Sequence, residues 1–198
     1  MPRLALNKTQ LTRESKQLET YERFLPSLDL KRRQLIAERN KARRDVVTLR
    51  DEIEEIERSC GSGLPMAANE RLKLDNIVTV RRVELAEENL VGLRLPILVD
   101  AEINRVGYEF LARPHWIDAL GDLLEKLLKM KLGLQVLEQR LAILELAVKK
   151  TTQRVNLFDK VLIPRTRDNI RRIGIQLSDA EKAAVVNAKI AKRKRAAR

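Results

Sequence analysis

The chain has 198 residues, of which 34% are charged, 44% hydrophobic and only 3% aromatic, and its net charge is +12. This composition is typical of a long helical protein with a thin core and argues against a disordered chain. The positive charge favours an acidic partner, such as nucleic acid, an anionic membrane surface or an acidic protein cavity. One cysteine, Cys60, excludes an internal disulfide. Because no apolar run is long enough to span a bilayer and the N-terminus lacks a signal-peptide pattern, we expect a soluble intracellular protein.

The first segment, residues 1–59, is predicted to be one long coiled-coil helix. Its apolar side chains repeat in heptads, and 12 of 16 seam positions between residues 4 and 56 are apolar. Pro26 is expected to bend this helix without ending it, because the heptads continue beyond the proline. The leucines chosen as seam residues are Leu11, Leu18, Leu28, Leu35 and Leu49.

Two arginines interrupt this first seam. Arg32 and Arg39 occupy heptad positions that are otherwise apolar. If Ile56 lies beside Leu120 of an antiparallel partner helix, Arg39 lies near Glu138 and Arg32 lies near Glu145. We expect salt bridges at both places, which would fix the register of the pair.

Residues 60–116 are predicted to form an insert with a small β-hairpin. Residues 77–85 are rich in β-branched side chains, which favours a strand, and residues 91–99 form a second extended run. Residues 86–89 are the expected turn, and Pro96 suits an edge strand. Because a two-stranded hairpin is marginal by itself, it is expected to lie on the helices or on another protein of a complex.

The last segment, residues 117–198, is predicted to be a second coiled-coil helix with a basic tail. Between residues 120 and 162, 12 of 13 seam positions are apolar. Pro164 interrupts the register, and the apolar spacing resumes displaced by one position, so a bend is expected there. Residues 182–198 carry seven basic and no acidic residues and are expected to be frayed. The seam residues are Leu120, Leu127, Leu134, Leu141 and Val155.

Two long seams separated by about sixty residues predict a mainly α fold. Its basis is a long antiparallel two-helix coiled coil with the hairpin module inserted at the bend. The alternative is that the two helices belong to an ordinary four-helix bundle.

The sequence contains no recognisable catalytic constellation. The glycines near Cys60 lack the lysine and the strand-to-helix context of a phosphate-binding loop. Cys60 and His115 are too few and too far apart in sequence to indicate a zinc site or a nucleophile–base pair. We therefore predict no catalytic residue, no metal and no cofactor. The basic tail leaves nucleic-acid binding as an alternative, although no base-reading motif accompanies it.

Three stretches resemble the D subunit of the V/A-type ATPases. Residues 154–165 read RVNLFDKVLIPR, similar to the family's run of Arg-Val-Asn, an apolar pair and then Val-Ile-Pro-Arg. Residues 89–97 resemble the family's hairpin segment, and the residues around Asn7, Thr9 and 28–32 resemble its Lys/Arg-rich first helix. The chain departs from the family in being somewhat short, with a compact insert.

The resemblance implies a function as the central rotor shaft of a rotary ATPase or ATP synthase, on the cytoplasmic side of the cell membrane. The implied partners are the catalytic A and non-catalytic B subunits of the head, the small F subunit of the stalk and the funnel-like C/d subunit on the membrane ring. Candidate head contacts are Arg165, Arg167, Arg171 and Arg172, and candidate stalk contacts are Leu93, Leu95 and Ile97. A coiled-coil scaffold and a nucleic-acid-binding protein remain the alternatives.

Overall fold

The structure is a computed structural model that describes residues 5–63, 77–105 and 116–196, without the side chains of residues 61–63. The prediction that His115 is not a metal ligand or a catalytic base concerns a residue outside these ranges. The elements in chain order are helix α1 (Lys8–Gly63), strand β1 (Val78–Leu90), strand β2 (Leu93–Arg105), helix α2 (Trp116–Leu157), a π-helical turn (Phe158–Leu162) and helix α3 (Ile163–Ala196). The fold is mainly α, with long N- and C-terminal helices and an antiparallel hairpin between them, as the sequence predicted.

The chain forms two compact units. The first combines Met1–Arg33 with Lys149–Arg198, and the second comprises Gln34–Val148.

In the second unit, α1 and α2 run antiparallel. Lys131 pairs with Glu57 at 2.7 Å, and Arg50 pairs with Glu138 at 2.7 Å, so residue numbers rise along one helix as they fall along the other. The expected partner of Glu138 was Arg39, eleven positions before Arg50 (50 − 39), so the predicted register was wrong by about three helical turns. Arg39 instead donates to the side-chain oxygen of Asn40.

An apolar cluster holds the hairpin against these helices. Leu35 and Leu144 are fully buried, and Leu95 of β2 packs with them, also without any exposed surface. Strand β2 therefore provides one side of the core between the helices and the sheet, which explains how a two-stranded hairpin is stable here. The cluster consists of Leu35, Ala42, Leu95, Leu144 and Val148, with Leu90, Val91 and Leu93 of the hairpin tip against it.

The hairpin turn lies at Val91–Gly92, not at the predicted residues 86–89, which continue β1. Val91 and Gly92 both have positive φ, 53° and 79°, which suits a two-residue hairpin turn. The side chain of Asn89 accepts a hydrogen bond from the N–H of Gly92 at 3.1 Å. Glycine tolerates this conformation, whereas Val91 is held in it by the pairing of Leu90 with Leu93 and their packing on the core.

In the first unit, α1 runs antiparallel to α3. Arg167 of α3 donates to Glu22 at 2.7 Å, and Asn169 donates to Glu14 at 3.2 Å. Glu14 occupies a seam position and is buried, and its two hydrogen bonds replace the water it loses. The other seam arginine, Arg32, pairs with Asp29 of its own helix, so its expected bridge to α2 is also absent.

The π-helical turn explains the one-residue displacement of the second seam. Heptads continued from Val155 would bury positions 162, 165 and 172, but the buried residues are Ile163, Thr166 and Ile173, each one position later. The N–H of Ile163 bonds to the carbonyl of Phe158, five residues earlier, so the turn takes in one extra residue. This widened turn lies just before Pro164, where the sequence predicted that the helix register is interrupted.

Burial along the helices follows the heptads. Among the predicted seam residues, Leu35, Leu120, Leu127 and Val155 are buried. The half-buried ones are Leu11, Leu18, Leu28, Leu49, Leu134 and Leu141. Pro26 lies inside α1, which continues through it.

Candidate interaction surfaces

The four predicted head-contact arginines all lie on α3 with exposed side chains. Arg167 is paired with Glu22, at side-chain exposures of 63% and 45%. Arg165, Arg171 and Arg172 have no ion pair within the described ranges. A guanidinium group without an ion pair has planar hydrogen-bond donors that match the geometry of a carboxylate.

The basic tail is helical as far as Ala196, whereas the sequence predicted fraying. Every residue from position 179 to position 196 is exposed. The basic residues of its last turn, Arg193, Lys194 and Arg195, lie where the helix dipole favours positive charge. The tail therefore presents a positive surface together with the exposed apolar side chains Val185, Val186 and Ile190.

A second basic surface lies at the start of α1. An open groove of about 690 Å³ runs along the helix there. Three cations, Lys8, Arg13 and Lys16, line it together with three threonines and Tyr21. Its openness to solvent suits a protein surface better than an enclosed small-molecule site.

Of the predicted stalk contacts on the hairpin, Leu95 cannot touch a partner. It has no exposed surface because it packs between the hairpin and the helices, and Leu93 packs beside it. Ile97 is half-buried. The large apolar side chains that the hairpin exposes are Val80, Val83, Leu85 and Val99, at 37–62%.

The base of the hairpin is joined to α2 by a charged cluster. Arg105, at the end of β2, contacts Asp122 at 2.5 Å and Glu125 at 2.7 Å, and Lys129 also pairs with Glu125 at 3.0 Å. Hydrogen bonds from Lys129 and then Arg105 lower the pKa of Glu125. Hydrogen bonds to Glu125 and then Asp122 raise the pKa of Arg105. Each charge stabilises its neighbours in the ionised form.

Sequence reasoning missed an exposed apolar pair at the π-helical turn, with Leu157 just before the turn and Val161 within it. Leu157 is 46% exposed and Val161 is 49% exposed, although both stand within the stretch that carries the family resemblance. The one-residue displacement of the seam was the available signal, because an extra residue changes which side chains face outward.

The described residues contain no group of three or more histidine, cysteine or acidic side chains arranged to hold a metal. Within the same ranges, none of the helices has the length and apolar character needed to cross a membrane. Cys60 is a half-buried free thiol that packs near Ile117 and Leu120.

Antiparallel helices, a hairpin packed on them and open surfaces of basic and apolar side chains define a mainly α-helical protein with an inserted β-hairpin. A family profile described as the D subunit of ATP synthase matches residues 10–193. The chain belongs to this family.

Similar proteins carry the same description. The V-type ATP synthase D subunit of Borreliella burgdorferi is 30% identical over 192 residues, covering 97% of this chain and 95% of that protein. The V-type D subunit of Chlamydia abortus is 31% identical, covering 96% of this chain and 92% of its own length. That of Chlamydia pneumoniae is 28% identical, with 96% and 91% covered.

Proposed function

We propose that the chain is the central rotor shaft of a V-type ATP synthase. In this role it couples ATP hydrolysis or synthesis in the catalytic head to proton or sodium translocation through the membrane ring. The observation that carries the proposal is the family match from residue 10 to residue 193, which includes both long helices and the hairpin between them. The chain itself is non-catalytic and acts through its contacts.

The antiparallel helices suit this role physically. A pair of helices has no threefold symmetry, so three equivalent catalytic sites around it would each meet a different face. Rotation of the pair then exchanges the conformations of the three sites, because each face stabilises a different conformation. Interhelical ion pairs such as Arg50–Glu138 oppose sliding of one helix along the other.

The positive surfaces fit the proposed head. Arg165, Arg171 and Arg172 are exposed without ion pairs in the described part of the chain, and residues 31–44 carry seven basic side chains and one acidic one. Carboxylates lining the cavity of the head would complement these surfaces and guide the shaft into place.

The remaining partners follow from the same proposal. The small F subunit of the stalk and the funnel-like C/d subunit contact the shaft outside the head, and the exposed hairpin residues Leu85 and Val99 are candidate contacts. The complex lies at the cytoplasmic side of the cell membrane, with this chain as a peripheral part.

Affinity purification of the tagged chain from its native host, followed by native mass spectrometry, tests the proposal. We expect one copy of the chain with three copies of each head protein and one small stalk protein. A homodimer without head proteins would instead support a scaffold. Nucleic acid that is released steeply by salt would support the nucleic-acid alternative.

A further inference from the structure

Four residues form an outer stripe across the π-helical turn: Arg154, Leu157, Val161 and Arg165. They are spaced three, four and four residues apart, which places them on one side of the helix. Leu157 and Val161 remain 46% and 49% exposed, and both arginines are exposed without an ion pair in the described ranges. The stripe is thus apolar at its centre and cationic at both ends.

The outer stripe does not face the packed side of the helix. The inward side of this stretch is occupied by Phe158, whose ring lies 5.3 Å edge-on from that of Tyr21, and by buried Ile163. None of the five residues of the π-helical turn is buried. Leu157 and Val161 would lose their remaining exposed surface, 46% and 49%, only when another molecule covers them.

We propose that the outer stripe is a docking site for a segment of the catalytic head that carries an apolar side chain flanked by carboxylates. This inference rests on the proposed function. The segment covers Leu157 and Val161 while its carboxylates meet Arg154 and Arg165. Apolar centres ringed by charge, with arginine among the anchors, are the usual anatomy of protein interfaces.

Charge favours an acidic partner at this position. Residues 154–172 contain six basic and two acidic side chains, a net charge of +4. Only Arg167 among the basic residues is neutralised by an ion pair, with Glu22, in the described part of the chain. An acidic segment is therefore attracted to the stripe, whereas a basic one is repelled.

The test measures binding of the full chain to the purified head that lacks its shaft. We compare the wild type, the double variant Leu157→Ser/Val161→Ser and the control double variant Leu146→Ser/Val47→Ser. The control removes one leucine and one valine of similar exposure, 59% and 51%, from other helix surfaces. The outer-stripe variant is expected to bind about tenfold more weakly, because it loses two apolar contacts. The control is expected to change binding less than twofold.

Failure of the inference and failure of the proposed function give different results. A wild-type chain that does not bind the head contradicts the proposed function. If the wild type and the outer-stripe variant bind the head equally well, the inference is overturned, whereas the proposed function is not. The variant Leu157→Met/Val161→Ile keeps the apolar character and is expected to retain wild-type binding; if it binds as weakly as the serine variant, apolar contact is not the cause.

A second measurement does not depend on the stability of the serine variant. In a Cys60→Ser background, Val161→Cys carries a thiol-linked photo-cross-linker into the assembled complex. A cross-link to a head peptide that contains carboxylates supports the proposal. Cross-links confined to the chain itself, or to the small stalk protein, contradict it.

Discussion

Arg140 of α2 and Glu88 of β1 form an ion pair, with Nη2 of the arginine 2.8 Å from Oε2 of the glutamate. The arginine side chain is only 18% exposed, and Glu88 faces Leu95 across the hairpin, beside the buried cluster. The tip of the hairpin is therefore fixed to the helices by packing and by a charge-assisted hydrogen bond together.

Replacing Arg140 by glutamine should destabilise the protein. Because the bond is charge-assisted and partly shielded from water, we expect a loss of about 1–2 kcal/mol in the free energy of unfolding. The free energy of unfolding is measured by urea titration, with circular dichroism as the signal. The control is Arg82→Gln, whose pair with Glu84 is 66% and 46% exposed, and it should cost less than about 0.5 kcal/mol. If both variants lost the same free energy of unfolding, the Arg140–Glu88 pair would not stabilise the hairpin tip more than an exposed ion pair does.

The substitution Leu95→Ala removes a fully buried side chain from the core between the hairpin and the helices. The lost transfer free energy and the cavity left behind together should cost about 2–5 kcal/mol. Thermal unfolding provides the measurement. Leu85→Ala, at a position 56% exposed on the same hairpin, should leave the melting temperature nearly unchanged. A small effect at Leu95 would mean that the hairpin is not anchored there.

The charged cluster at the base of the hairpin predicts a pH dependence. The pKa of Glu125 is lowered from its ordinary value of 4.5, chiefly by Lys129 and then by Arg105. A lowered folded-state pKa stabilises the folded protein above pH 4.5, and this contribution is lost as the pH falls through the folded-state pKa. Titration of Glu125 by NMR should give a value below 4.5 in the wild type.

Variants of Lys129 and Arg105 separate the two causes of the lowered pKa of Glu125. Lys129→Gln and Arg105→Gln should each raise the pKa of Glu125 toward its ordinary value, because each removes a hydrogen-bond donor. The control Lys126→Gln lies one position from Glu125 but forms no ion pair within the described ranges. If it moved the pKa as much as the other two, a general change of charge rather than these bonds would be the cause.

The π-helical turn predicts tolerance to the loss of one residue. Deleting Lys160 removes the extra residue and returns Ile163, Thr166 and Ile173 to the heptad positions that continue the seam from Val155. Pro164→Ala is combined with the deletion, because proline inside a regular helix costs about 3 kcal/mol. We expect this variant to keep its helical content and a melting temperature close to that of the wild type.

Deletion of Lys150 is the matched control, since it also removes one exposed lysine from the long helix. There the seam is already in phase, so the deletion turns every later seam residue away from α1 by about 100°. Its melting temperature should fall steeply. Two deletions that were equally harmful would show that the extra residue does not set the phase of α3.

The unpaired arginines of α3 predict a loss of coupling without a loss of assembly. In the triple variant Arg165→Gln, Arg171→Gln and Arg172→Gln, the chain should still fold, because these side chains are exposed, and it should still enter the complex through the contacts that remain, including Leu157 and Val161. Ion transport per ATP hydrolysed should decrease, as the contacts that distinguish the three catalytic sites weaken. Proteoliposome pumping compared with ATPase rate is the measurement.

A control variant neutralises three exposed basic residues away from α3, namely Arg58, Arg81 and Lys126. It carries the same change of net charge and is expected to leave the ratio of transport to hydrolysis unaltered. A similar decrease in both variants would attribute the effect to overall charge.

The sequence by itself determined the helices, their buried face and the presence of a hairpin. Heptad periodicity is a local property, and the predicted seam leucines from Leu11 to Leu141 are buried or half-buried. The displacement of the apolar spacing after Val155 was visible in the sequence as well, although its cause was not.

Only the tertiary structure decided the register, the turn and the outward-facing surfaces. A heptad seam looks alike after a slide along its partner, so the repeat alone does not determine the alignment. The packing of particular side chains, such as Leu35 and Leu144 in the buried cluster, decides it, and the Arg50–Glu138 pair marks the resulting register. The hairpin turn moved to Val91–Gly92 because the tip packs on the helix core, and this packing also buried Leu95. The π-helical turn adds one residue before Pro164, so Ile163, Thr166 and Ile173 are buried after it. The same turn leaves Leu157 and Val161 exposed. Each outcome depends on contacts between distant parts of the chain, which local patterns do not encode.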